Sequence, residues 1–142
     1  MVDFEYFIAR GEVKEHPKDE KLANLLVKES YDRLNFVRRL AITEENSKYI
    51  IENVYDILRE LIEAKLALNG FKSYSHEATL LFLKKFPEFK ESEIRFIDTL
   101  RKTRHGIKYY GKEASLNEAK MTLNFLNSIL PKLKRFISAE RL

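Results

Sequence analysis

The sequence contains no cysteine. That absence excludes a disulfide framework, a thiolate zinc site, an iron–sulfur cluster and a cysteine nucleophile. Glycine (4) and proline (3) are scarce, too few for the frequent turns of an all-β fold. No uninterrupted apolar run exceeds the four residues of Leu80–Leu83. A membrane-spanning helix needs roughly 20 apolar residues, so none is expected. The first ten residues carry Asp3 and Glu5 and lack the basic-then-apolar order of a secretory leader. Glutamine is absent while Lys and Glu abound, a lean towards thermophile composition that eight asparagines oppose. The expectation is a soluble, cytoplasmic protein.

What is present points to one helical domain. The length is 142 residues, an ordinary single domain, and 44% of them are apolar, too many for disorder. From about Lys18 to Ala41 apolar or small residues recur at Ala23, Val27, Ser30, Leu34, Val37 and Ala41. Steps of three and four keep them on one helical face, and Pro17 just before suits a helix start. Thr43 is the expected N-cap of a second helix reaching Asn69. Ile50, Val54, Ile57, Leu61, Ala64 and Leu68 form its main stripe, with Ile51, Leu58, Ile62 and Leu66 beside it. So wide an apolar face predicts a central, buried helix. A shorter helix runs from His76 to Phe86, capped by Ser75 and stopped by Pro87. The next runs from about Glu91 to Lys108 and ends at Gly111. Ser115-Leu116-Asn117-Glu118 is a capping box opening a last helix, which Pro131 is expected to kink. No strands are expected. The fold class is all-α: an up-and-down bundle of four main helices plus the short one over residues 18–142, with residues 1–17 as an N-terminal arm.

Charge is distributed unevenly. Residues 1–70 hold 11 basic and 14 acidic residues (−3), and residues 71–142 hold 15 basic and 8 acidic (+7). Arg101, Lys102, Arg104, Lys108 and Lys112 fall in one acid-free window with His105, Tyr109 and Tyr110. Basic side chains neutralise phosphates and rings stack on bases, so this window is a candidate RNA- or nucleotide-binding surface. The plainer alternative is a solvated basic helix end whose cations complement the helix dipole.

Catalytic options are few. No H-x-x-x-H or E-x-x-H pair exists, so no metal site is expected, and no Gly-rich loop is present to cradle a nucleotide cofactor. No cofactor is expected. His16 lies in a polar linker, and His76 at a helix start reads as surface or local packing. Tyr31, Tyr49 and Tyr55 read as core or boundary residues. Arg101 and His105 are four apart, as are His105 and Tyr109, placing each pair on one helical face within reach of one phosphate. A guanidinium can hold the phosphodiester while a second group moves protons.

Arg104-His105-Gly106-Ile107-Lys108-Tyr109, late in a helix and followed by a capped final helix, resembles the motif of HEPN-domain proteins. These are small helical bundles whose signature is Arg, a polar residue, then His, with four to six positions between the Arg and the His. His105 takes the polar position, and Tyr109 stands where histidine is expected. The resemblance spans about Lys18 to Ile137. It implies a homodimer whose motif residues face each other across a composite cleft. It also implies a metal-independent ribonuclease with Arg104, His105 and Tyr109 as catalytic residues, or a partner of a minimal nucleotidyltransferase in a toxin–antitoxin module. There Tyr109 or Tyr110 would accept a nucleotidyl group. Tyrosine, with an unperturbed pKa near 10, is a poor base at neutral pH, whereas histidine as a residue type, unperturbed near 6.5, suits the role. The alternatives are a non-catalytic helical interaction module with a degenerate motif, or an unrelated helical scaffold.

Overall fold

A computed structural model describes residues 3–139. The elements are α1 (Phe4–Ala9), β1 (Val13–Glu15), α2 (Glu20–Arg38), α3 (Ser47–Leu68), β2 (Phe71–Ser73), α4 (His76–Leu81), a 3₁₀ turn (Phe82–Lys85), α5 (Glu91–Tyr110) and α6 (Leu116–Ser138). Four long helices make the bundle, as the periodicity predicts. Both apolar stripes of α3 are buried, from Ile50 to Leu68. This helix is the axis against which α2, α5 and α6 pack. Its side chains are therefore the framework that any site on the bundle is built against.

Local chemistry sets the helix ends. Asp19 caps α2 by accepting from Leu22 N–H (2.9 Å), and Ser75 caps α4 by accepting from Ala78 N–H (3.2 Å). Both halves of the Ser115–Glu118 box form, at 3.1 and 3.2 Å. Gly111 closes α5 in the left-handed conformation, φ +62°, which lacks a steric penalty only for glycine. Helix α6 continues through Pro131 to Ser138.

Three expectations need correction. First, Thr43 does not cap α3. Thr43 and Asn46 instead bond each other reciprocally, N–H to side chain, at 2.8 and 3.1 Å, and Asn46 is the residue that precedes the helix. Second, the fourth helix is α-helical only to Leu81, and tightens to a 3₁₀ turn before Pro87. Third, there are strands. β1 and β2 pair antiparallel, with Val13 opposite Ser73 and Glu15 opposite Phe71. Three-residue strands are too short for alternation to show. Residues 3–17 thus hold the α1–β1 unit, which is docked on the bundle. Phe4, Phe7 and Val13 are buried, and Phe4 packs edge-on against Phe71 at 5.5 Å between ring centres. Tyr49, read from sequence as a core or boundary residue, is exposed, whereas Tyr55 is buried.

Candidate functional site

The basic window lies at the C-terminal half of α5. Leu100 and Ile107 anchor that half in the core, which fixes the rotation of the helix and so the direction of every other side chain on it. Arg104, on the edge of the buried face, turns inward to α3. Its guanidinium lies 3.5 Å from the Asp56 carboxylate and 5.5 Å from the centre of the Tyr55 ring. Only 16% of the Arg104 side chain is exposed.

Asp56 is a hub. Arg59 on its own helix reaches it at 3.4 Å and Arg33 of α2 at 4.0 Å. Arg33 also donates to Glu60 at 2.8 Å, and Arg59 to Glu63 at 2.9 Å. Asp56, Glu60 and Glu63 follow one another by four and three residues, so α3 carries one charged stripe among its apolar ones. Burial raises the Glu60 carboxyl above its ordinary value even with Arg33 beside it. The same stripe carries the signal that the sequence reading missed: acids at helical spacing on an otherwise apolar helix call for buried cations.

Among the four arginines here, the bonding differs. Arg33, Arg59 and Arg101 each donate a hydrogen bond to a carboxylate. Arg104 has the ion-pair contact and the ring, but no hydrogen bond among the described residues. A guanidinium has five N–H donors in a planar fork. Those of Arg104 are oriented without being consumed.

The other predicted residues separate from it. Arg101 pairs with Asp98 at 2.9 Å, and Lys102 with the same Asp98 at 3.3 Å. The His105 ring lies 4.8 Å from that of Tyr109 and 5.7 Å from that of Tyr110. Tyr109 and Tyr110 are 62% and 73% exposed, which makes the trio an open aromatic platform. Lys108, exposed, lies 5.8 Å from the Tyr109 ring centre. Lys112 folds back over Gly106, where its Cδ would be 2.8 Å from an added Cβ; the glycine is what lets it lie flat on α5. A cavity of about 250 Å³ beside it is lined by Lys102 and Lys112 but also by Glu113 and Glu118.

One residue read from the sequence as surface or local packing also enters the site. His76, at the start of α4, has Nδ1 3.2 Å from the Tyr55 hydroxyl. Burial lowers its pKa, and Arg59 and Arg104 lower it further. Burial pushes the Tyr55 phenol up to about 12, against the pull of Arg59, Arg101 and Arg104. The sequence holds no hint of the pair, because the two side chains lie 21 residues apart in separate helices.

Among the described residues no cluster of three or more His, Asp or Glu side chains could hold a metal ion, and no helix is long and apolar enough to cross a membrane. No protein-family model, curated protein or solved structure matches the chain.

Proposed function

We propose that the chain is a HEPN-type protein that binds RNA or nucleotide on the α5 surface as a homodimer. We further propose that it works with a nucleotidyltransferase and cleaves RNA without metal. The observation that carries this reading is Arg104. At the motif position stands a largely buried guanidinium, aimed by Asp56 and Tyr55, whose N–H donors have no other acceptor among the described residues. A phosphate is the acceptor that such a planar fork suits best. In the chemistry proposed, a base takes the proton of the RNA 2′-hydroxyl, that oxygen attacks the adjacent phosphorus, and the bond to the 5′-oxygen breaks as an acid protonates it, leaving a 2′,3′-cyclic phosphate; Arg104 stabilises the charge on the equatorial oxygens. The exposed rings of His105, Tyr109 and Tyr110 offer faces for bases to stack on. The two tyrosines also present hydroxyls accessible to a partner enzyme.

A specific observation supports the runner-up, a non-catalytic interaction module. Neither His105 nor Tyr109 has a hydrogen bond, ion pair or ring contact with Arg104 among the described residues; their rings lie beside each other, Tyr110 and Lys108. Incubation of purified protein with labelled single-stranded RNA in EDTA separates the two. Cleavage ending in a cyclic phosphate and lost in Arg104→Ala supports the nuclease. Binding without cleavage supports the module. Sedimentation at equilibrium tests the dimer.

A further inference from the structure

Two side chains are set by the Tyr55 ring. The Arg104 guanidinium is 5.5 Å from its centre, and the His76 imidazole lies 6.0 Å away with 26° between the planes and Nδ1 3.2 Å from the hydroxyl. The buried phenol thus gathers a cation and an imidazole around one ring. We propose that Arg104 and His76, set by Tyr55, form a subsite for a phosphodiester group of single-stranded RNA, apart from the His105–Tyr109–Tyr110 platform. This rests on the RNA-binding reading above and adds the residue that holds the phosphate opposite the arginine.

The hydrogen-bond chemistry follows from the pair. A phenol that stays protonated through neutral pH can donate to Nδ1. The neutral imidazole then carries its own proton on Nε2, which has no partner among the described residues. That N–H is a donor for a phosphate oxygen, as the free fork of Arg104 is for another. The cavity behind Tyr55 and His76 is only about 10 Å³, enough for at most one water molecule. The ligand must therefore arrive on the solvent side, where His76 is exposed.

Among the described residues, the groups left free at the subsite are donors, the Arg104 fork and the His76 Nε2–H, and a phosphate oxygen is an acceptor for each. The groups acting on His76 are Arg59, Asp56 and Tyr55 from α3 and Arg104 and Arg101 from α5; the exposed Glu77 follows it on α4. A bound phosphate adds a negative charge to that set, and so favours the imidazolium.

The test follows the imidazole Cε1–H signals of the whole chain by NMR against pH, at low salt. The ligand is a short 2′-O-methyl RNA, which cannot be cleaved. His76 and His105 signals are assigned with His76→Gln and His105→Gln. In the free protein His76 is expected to titrate below 6.5, and with the oligonucleotide to move upward, an effect lost in Arg104→Gln. Binding measured by fluorescence anisotropy should weaken about tenfold in His76→Ala. If the oligonucleotide binds and moves only the His105 signal, the subsite is wrong and the RNA-binding reading stands. If no oligonucleotide binds but inorganic phosphate moves His76, the subsite stands and the RNA reading fails. If neither ligand moves His76, the inference is overturned.

Discussion

Arg104 Nη2 lies 3.5 Å from Asp56 Oδ1, and among the described residues this is the one ion pair that joins α5 to α3. Asp56 also serves Arg59 and Arg33, so the pair is unequal. Removing Arg104 leaves Asp56 two guanidiniums. Removing the Asp56 charge leaves three guanidiniums short of one anion. Asp56→Asn should therefore cost about 1–3 kcal/mol of stability and Arg104→Ala no more than about 1 kcal/mol. Urea unfolding measures both; the reverse order would show that Arg104 is the structural partner.

Two ionisable groups give opposite pH slopes. The folded pKa of His76 is depressed, so its stabilising contribution is present above 6.5 and is lost as pH falls through its lower folded value. Glu60 is raised, so its contribution is present below 4.5 and is lost as pH rises through its higher folded value. His76→Gln should flatten the stability profile just below pH 6.5, and Glu60→Gln should flatten it just above pH 4.5. Midpoints of urea unfolding across pH 4–8 would show either slope surviving its substitution.

Two glycines should respond oppositely to alanine. Gly70 has φ +82°, and a Cβ there would meet the His16 carbonyl oxygen, a backbone atom, at 2.9 Å. Gly70→Ala should lose at least about 1 kcal/mol. Gly106 is helical, and its obstacle is the flexible end of Lys112. Gly106→Ala should gain up to about 1 kcal/mol from helix propensity while lifting Lys112 off the helix. Thermal melts of the two variants should move in opposite directions.

RNA affinity should fall linearly on logarithmic axes as salt rises. Each of Lys102→Ala and Lys108→Ala should reduce the slope by about 0.7 if that lysine neutralises a phosphate of a single strand. A slope near zero in the parent protein would remove the α5 surface as the contact.

On the proposed ribonuclease reading, Tyr109→His places a titratable base five residues after Arg104. At a position 62% exposed the change should leave stability within about 0.5 kcal/mol. RNA cleavage should rise above the parent protein. An increase confined to His76-containing protein, absent when His76→Ala is added, would place both imidazoles in one reaction.

The bundle was legible because burial writes itself as spacing. The main stripe of α3 alternates by three and four residues, and every predicted position of both stripes is buried. Helix ends marked by side-chain chemistry, such as Ser115 and Gly111, were legible too. The start of α3 was not, because threonine and asparagine three residues apart exchange bonds and either could cap. The two strands were too short to carry a period. At the site, the motif drew attention to Arg104 but not to what holds it. Asp56 occupies a charged stripe that apolar periodicity ignores, and His76 meets Tyr55 only through tertiary packing.

The small sheet has a bearing on how the protein should be handled. Tyr74 N–H bonds the Glu12 carbonyl at 2.8 Å, and Ser73 pairs with Val13, so the chain entering α4 is gripped by the α1–β1 unit. Trimming the first fifteen residues, or threading a tag through them, would unclamp the stem from which His76 projects. Any loss of ligand contact in such a shortened protein would report on the missing clamp before it reported on the ligand.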